Sequence, residues 1–508
     1  MKGSYKLNQQ QFEYIAEQSD AILEKYSSNI YVTGIAWLHV LNSHPANQVK
    51  YIHVFYKRSF LKKCVVFLVR AATILRDLFL SLFSFSSRQT SYKTIPEETE
   101  VLIMSHLVNA AHKQNDPDFY FQDLPSHLAK KGYSTSVALL NHVNGLIGWN
   151  DNLKNEKDKF FVCLLPSRLD FGDEFTMICR CLRSSLFFLR QSFLESDPVK
   201  KSFLSVLAAN ALSVDTLRAH RIRKAIQYML SHTRCTVLAF TWEGHSWERL
   251  LCHASRNANR KIISIGYQHT ILFPSSHALK RSMGNLYNPD VILTVGSVTK
   301  NIIESSFGSG KTEIKEYGSP RLTQQKKYQA NVSIRNACLV APEGLVQECI
   351  VLFMFGIEVA KLAPETHFIF RTHPTVHFTD LQLKDERLCN LPSNVIISTN
   401  KNIDDDFNRS SWLLYRSSSV SFFAIQNGLR PVYLQSENEL SIDPLYKLNS
   451  WRFQVNKPGE MVSIIENDIH TEDTDRREEI KEAIVFSNEY MKPYDVDVFE
   501  AYIRNANK

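Results

Sequence analysis

Much of what this chain could be is excluded by what it lacks. Its nine cysteines in 508 residues form no paired framework. No C-x-x-C occurs, and Cys179 and Cys181 stand too close together for an ordinary bridge. Reduced thiols in a cytoplasmic protein are the expectation, rather than a disulfide scaffold or a structural zinc site. The opening residues, MKGSYKLNQQQFEYIAEQSD, hold no apolar core of a secretory signal. No internal repeat and no low-complexity linker is visible, so a solenoid is not expected. The net charge of +7 is mild and no DNA- or RNA-binding module is present, so nucleic acid is not an expected partner. That charge suits a phosphate-bearing substrate or an anionic membrane surface and identifies neither.

An uninterrupted apolar run is missing too. Cys64 to Phe85 comes near the length of a bilayer span, but Arg70, Arg76 and Asp77 break it. Two readings of residues 57–93 follow. One is an amphipathic helix lying among lipid headgroups, with Lys57, Arg58, Lys62, Lys63, Arg70 and Arg76 toward phosphates, which would place the protein peripherally on the inner membrane face. The other is a helix packed on the protein's own core with a basic solvent face.

Two apparent motifs also fail. FGSGKTEIKEYG (307–318) has Ser305 where a phosphate loop needs its first glycine, and its helix and strand come in the wrong order. His373 and His377 are separated by Pro374, and His245 and His253 are eight apart, so neither pair completes a three-ligand metal site. No metal and no cofactor are expected.

What is there is α/β alternation. Short apolar runs at 101–104, 136–140, 160–165, 236–240, 261–267, 291–295 and 314–317 are separated by helical periods, including 174–194 and an Arg-rich 200–231. A second series, 337–341, 367–370, 395–398, 412–415 and 431–434, alternates with helices at 346–362 and 420–427. Such alternation predicts two doubly wound parallel sheets. The chain divides into a helical extension (1–98), a first Rossmann-like domain (99–328), a second (329–470) and a charged helical segment (471–508).

Ligand groups in such sheets collect at the carboxyl ends of strands. In the first domain these ends carry His106, the Arg168/Asp170/Asp173 stretch, Glu243 with His245, and Gln268-His269-Thr270. Glu243, followed by Gly244, is a candidate general base, with His269 as the other; Asp170, His245 and Gln268 are candidates on the acceptor side. In the second domain, Pro342-Glu343-Gly344, Arg371-Thr372-His373-Pro374 and Arg416-Ser417-Ser418-Ser419 share a phosphate-like theme.

These spacings resemble bacterial sialyltransferases and Kdo transferases of the GT-B type. The resemblance rests on His373-Pro374 followed 44 positions later by Ser417-Ser418-Ser419, and covers about residues 100–460. The stretch TWEGHSWERLL…GYQHT is also similar to surface-carbohydrate biosynthesis proteins of bacteria. The resemblance implies a GT-B fold, two Rossmann-like domains facing a cleft. It implies transfer of a nonulosonate or Kdo from a CMP-sugar to a surface glycan such as O-antigen, lipooligosaccharide or capsule, on an acceptor that is often lipid-linked. His373 would act on the CMP phosphate, and Ser417, Ser418 and Ser419 would bind it. One departure stands out: the family places two acidic residues before the glycine, and here Trp242 precedes Glu243. Alternatives on the same fold are a UDP-sugar transferase, a sugar-nucleotide epimerase or a non-catalytic assembly scaffold.

Overall fold

The computed structural model describes residues 6–56, 60–82, 91–108, 118–143, 160–308, 310–320, 322, 335–471 and 473–506. Two all-parallel sheets organise it. The first has seven strands, β1 (Val101–Leu107), β2 (Thr135–Asn141), β3 (Phe161–Leu164), β4 (Val237–Thr241), β5 (Ile263–Gln268), β6 (Val291–Thr294) and β7 (Glu313–Glu316), in the order β3-β2-β1-β4-β5-β6-β7. The second has six, β8 (Ala337–Val340), β9 (His367–Phe370), β10 (Val395–Ile397), β11 (Trp412–Tyr415), β12 (Arg430–Leu434) and β13 (Phe453–Val455), in the order β10-β9-β8-β11-β12-β13. Together with helices at the N-terminal side, this is the expected two-domain GT-B architecture. Strand β1 runs on through Ser105 and His106 to Leu107, past the expected end at Met104. The Ser105 hydroxyl is satisfied inside the fold by Asp118 at 2.8 Å.

The extension holds α1 (Gln9–Lys25) and α2 (Phe60–Leu82). The first domain holds α3 (Leu124–Lys130), α4 (Phe171–Leu194), α5 (Pro198–Asn210), α6 (Val214–Ser231), α7 (Ser246–Arg256) and α8 (Ser297–Phe307). Then follow α9 (Val346–Leu362), α10 (Val420–Gln426), α11 (Pro458–Ile469), α12 (Asp473–Tyr490) and α13 (Val496–Ala506). Central strands such as β1 and β4 are buried on both faces, so they read as continuous apolar runs rather than alternating ones. Helices α6, α7 and α8 cover one face of the first sheet; α3 and α13 cover the other. In the second sheet, α10 and α12 cover one face, and α9 and α11 the other.

The C-terminal segment is shared between the domains. α12 packs on the second sheet, then the chain returns: Ser319 N–H donates to Lys492 O, Lys492 N–H to Val295 O and Asp495 N–H to Tyr317 O. Phe499 and Ile503 of α13 then complete the core of the first sheet.

The helical period over 200–231 is two helices rather than one. The break falls at 211–213, where the Thr216 hydroxyl donates to Asn210 O at 2.8 Å and Ser213 caps the new helix by accepting from Thr216 N–H at 3.3 Å. Two of the three charges that interrupt the apolar run of α2 are explained by packing, while Arg76 is exposed beside Asp77. Arg70 donates to Ala209 O and Asn210, so it turns to α5 rather than to a headgroup layer. Asp77 is buried, 3.0 Å from Arg221 and 3.4 Å from Arg168. Lys57 and Arg58, the side chains of Lys62 and Lys63, and most of the polar stretch around the expected domain boundary (323–334) lie outside the described residues.

Candidate active site

In both sheets the strand order reverses beside the first strand, between β1 and β4 and between β8 and β11. The crevice outside the carboxyl ends at such a switch point is where doubly wound sheets bind ligands.

At the first switch point four neighbouring strands, β2, β1, β4 and β5, deliver His142, His106, Glu243 with His245, and His269. His106 sits between His142 (2.9 Å) and the Thr241 hydroxyl (3.1 Å). Glu243 Oε2 lies 2.9 Å from His245 Nε2, and its Oε1 lies 3.7 Å from His269 Nε2. Aromatic rings wall the cluster: Tyr120 is edge-on to His269 at 4.2 Å between centroids, and Trp247 meets His106 at 5.5 Å. Burial would push the Glu243 carboxyl up, but the hydrogen bond from His245 and the charge of His269 hold it down at about 2. Burial acts downward on His245, yet its bond to Glu243 and the Glu248 carboxylate raise it. Burial drives His106 down to about 3, so that ring is neutral. The site therefore holds a persistent carboxylate beside neutral and protonatable imidazoles. Among the described residues no three side chains are grouped to hold one metal ion.

The turn that carries Glu243 is held from below. Glu248, fully buried in the first turn of α7, accepts the N–H groups of Glu243 (2.9 Å), Gly244 (2.7 Å) and His245 (2.8 Å) on one oxygen. Gly244 has φ +84°, and a Cβ there would stand 2.3 Å from the Ala278 carbonyl carbon, so only glycine fits.

At the second switch point β8 delivers Glu343 and Gly344, β9 delivers Arg371 and His373, and β11 delivers the serines. A Cβ on Gly344 would lie 2.9 Å from His373 Nδ1, so glycine lets the imidazole close on this turn. His373 Nδ1 accepts from Thr375 N–H (3.3 Å) and meets the Thr375 hydroxyl (2.8 Å). The neutral ring thus carries its proton on Nε2, assigned from these bonds, and presents a donor. Burial lowers the His373 pKa, with Glu343 opposing. Ser417 is buried and its hydroxyl has no hydrogen-bond partner among the described residues. Ser418 accepts Val420 N–H at 3.3 Å, while Ser419 at the N-cap position makes no cap bond with its side chain.

Both arginines of the expected donor site are matched by carboxylates of their own domain. Arg416 is turned into the domain, where Glu348 (3.1 Å), Glu439 and Ser436 (2.6 Å) surround it. Arg371 is 2.6 Å from the buried Asp406 and bonds Asn400 O, so it fixes the 398–406 loop. Pro374 is exposed beside His373. On the acceptor side, Asp170 stands apart at the end of edge strand β3, paired with Lys93 at 2.6 Å. Gln268 is buried and turns its amide onto Thr270 O. His245 is brought onto Glu243.

The helical extension contributes to the site in a way its sequence does not announce. His277 and Ala278 N–H donate to Leu41 O and Val40 O, and His44 Nε2 then reaches Glu343 at 2.8 Å. The segment Val40–His44 therefore runs from the wall of the first switch point to the second. The loop after His269 crosses as well: Leu272 N–H donates to the Tyr490 hydroxyl, and Phe273 joins the core around Phe422. These crossings tie the loops beyond the two carboxyl edges to one another. His142, Tyr120, Thr375 and His44 carry no sequence motif, and strand register and chain crossing bring them in; Trp247 and Glu248 lie within the TWEGHSWERLL stretch, where nothing marked them as site residues.

No family model matches the chain and no curated protein matches it at a significant level. Among solved structures it is similar to the glycotransferase of kitacinnamycin (12% identity over 80% of this chain and 100% of that one, TM-score 0.45). It is also similar to an α,α-trehalose 6-phosphate synthase from Burkholderia multivorans (10%, covering 81% and 99%, TM-score 0.46). A third is CalG4, the calicheamicin glycosyltransferase (11%, covering 80% and 98%, TM-score 0.44). These likenesses are too distant to carry an argument about substrate or mechanism, which rests on the two switch-point clusters.

Proposed function

We propose that this chain is a glycosyltransferase that moves a nonulosonate or Kdo-type sugar from a CMP donor onto a hydroxyl of a surface glycan, without a metal. One observation carries the reading. Two switch points joined by Val40–His44 hold complementary chemistry: an ionised carboxylate among imidazoles on one sheet, and a His373 Nε2–H donor with a Ser417 hydroxyl unpartnered among the described residues on the other.

The 3.7 Å gap between Glu243 Oε1 and His269 Nε2 is too long for a hydrogen bond and fits one hydroxyl oxygen touching both. The acceptor hydroxyl gives its proton to Glu243 as its oxygen attacks the anomeric carbon. The bond from that carbon to the donor phosphate breaks, and CMP leaves. His373 Nε2–H with the hydroxyls of Ser417 and Ser418 stabilises the charge that develops on the phosphate, the task that contributes most to such a step. Arg371 acts through the Asp406 loop rather than on the phosphate itself.

A donor panel tests the reading. Release of CMP from CMP-sugars, with no release of UDP from UDP-sugars, is the expected result. Turnover of UDP-sugars alone would overturn the donor assignment and favour a UDP-sugar transferase or epimerase. Absence of both turnover and nucleotide binding would mark a non-catalytic scaffold.

A further inference from the structure

We infer that the outer face of α4, together with α2, docks on an anionic lipid bilayer. Helix α4 is apolar on two sides. Its inner side, with Met177, Cys181 and Phe188, is buried against the domain. Its outer side carries Phe175, Leu182, Leu186, Leu189 and Phe193, spaced at 7, 4, 3 and 4 residues, which is one helical stripe. These side chains are 50%, 43%, 56%, 37% and 71% exposed. Helices that are apolar all round are ordinarily buried all round. α2 packs beside α4, with Ile74 and Leu78 at the cluster of Met177, Ile178 and Cys181. It presents a second stripe, Leu68, Leu75 and Leu82, at 64%, 66% and 49% exposure.

Charge selects the occupant. Arg180, Arg183 and Arg190 are exposed along the flank of the α4 stripe, and no acidic residue occurs between Phe175 and Leu194. An apolar band flanked along its length by arginines, with solvent-accessible acidic residues only beyond its ends at Asp173 and Glu195, fits an acyl boundary with anionic headgroups above it. Among the described residues no helix is long and apolar enough to cross a membrane, so the contact is a surface one. α4 starts just beyond the carboxyl end of β3, the edge of the sheet that also carries the first switch point. A docked chain would hold that crevice toward the headgroup plane, where a lipid-borne acceptor presents its hydroxyl. The surface itself stands whether or not the glycosyltransferase reading holds.

Flotation of the full chain tests this, using phosphatidylcholine vesicles with and without phosphatidylglycerol. The wild type is expected to float with the anionic vesicles and at least about tenfold less with the neutral ones, since each near-surface arginine contributes roughly fivefold. Leu186→Glu with Phe193→Glu should abolish flotation on both, with circular dichroism unchanged because both side chains are exposed. Arg180→Glu with Arg183→Glu and Arg190→Glu should remove the anionic preference, as high salt should for the wild type. Failure of the wild type to float on anionic vesicles overturns the inference, as does flotation untouched by Leu186→Glu with Phe193→Glu. Light scattering that finds a dimer dissociated by that pair, without flotation, would assign the face to a second copy instead.

Discussion

Replacing Glu248 with alanine is expected to release the turn that carries Glu243. Three backbone donors lose their partner, at present 2.9, 2.7 and 2.8 Å away. Gly244 is buried, so its N–H finds no water, and a buried donor left unpaired costs about 1–3 kcal/mol. The N–H groups of Glu243 and His245 are partly open and lose about 0.5–1.5 kcal/mol each. The sum is about 4 kcal/mol, a large part of the stability of one domain. Glu248→Gln keeps one neutral acceptor oxygen within reach and should lose less than about 1 kcal/mol at neutral pH. Thermal and urea midpoints of the wild type and both variants check this, and turnover should fall in the alanine variant beyond its loss of folded protein. The pH dependence gives an independent sign. Burial raises Glu248 to about 7 from an ordinary 4.5, so the folded state binds the proton more tightly than the unfolded one. Its contribution to stability is then fully present below about 4.5 and lost as pH rises through about 7, and the glutamine variant should be flat in that window. An alanine variant no weaker than a surface substitution, about 0.5 kcal/mol, would refute the reasoning, as would wild-type stability that rises over the same window in a manner abolished by glutamine.

Gly244→Ala should be more severe than its size suggests. The φ of +84° and the 2.3 Å approach to the Ala278 carbonyl carbon force the turn to move, for a loss of at least about 2 kcal/mol and near-complete loss of turnover. Arg416→Met should leave Glu348 and Glu439 buried without their shared cation, costing about 3–5 kcal/mol in a denaturation midpoint. Calorimetry on the folded Arg416→Met protein should nonetheless find nucleotide affinity unchanged, because the guanidinium faces the domain interior. His142→Ala should remove one neighbour that keeps His106 neutral and raise the His106 pKa, read directly by NMR titration of that ring.

Strand positions were legible because fully buried parallel strands are short apolar runs that stop at a polar residue. Ala239-Phe240 before Glu243, and Ile369-Phe370 before Arg371, are examples. The polar residues at strand ends were therefore visible one at a time. Their neighbours were not, since adjacency in a parallel sheet depends on strand order, and side chains that meet across it, such as His106 and Thr241, lie 135 positions apart in the chain. The arginines show a different limit. A guanidinium aimed at a ligand and one matched by carboxylates look alike in sequence, and Asp406 lies 35 positions from Arg371. Nor does any local signal in Val40–His44 show that it spans two domains. The outer stripe of α4 was hidden for a further reason: helical period over 174–194 reveals that apolar positions recur, not that two opposite faces are both apolar.

The most direct test of the central claim is calorimetric titration of CMP into the wild type, His373→Ala and Glu243→Gln, with turnover measured on the same samples. With the donor site at the second switch point, His373→Ala loses both CMP affinity and turnover. Glu243→Gln, at the first switch point, binds CMP as the wild type does, while turnover falls by on the order of a hundredfold or more. CMP binding that survives His373→Ala intact, or that depends on Glu243 instead, would contradict this placement of the donor site.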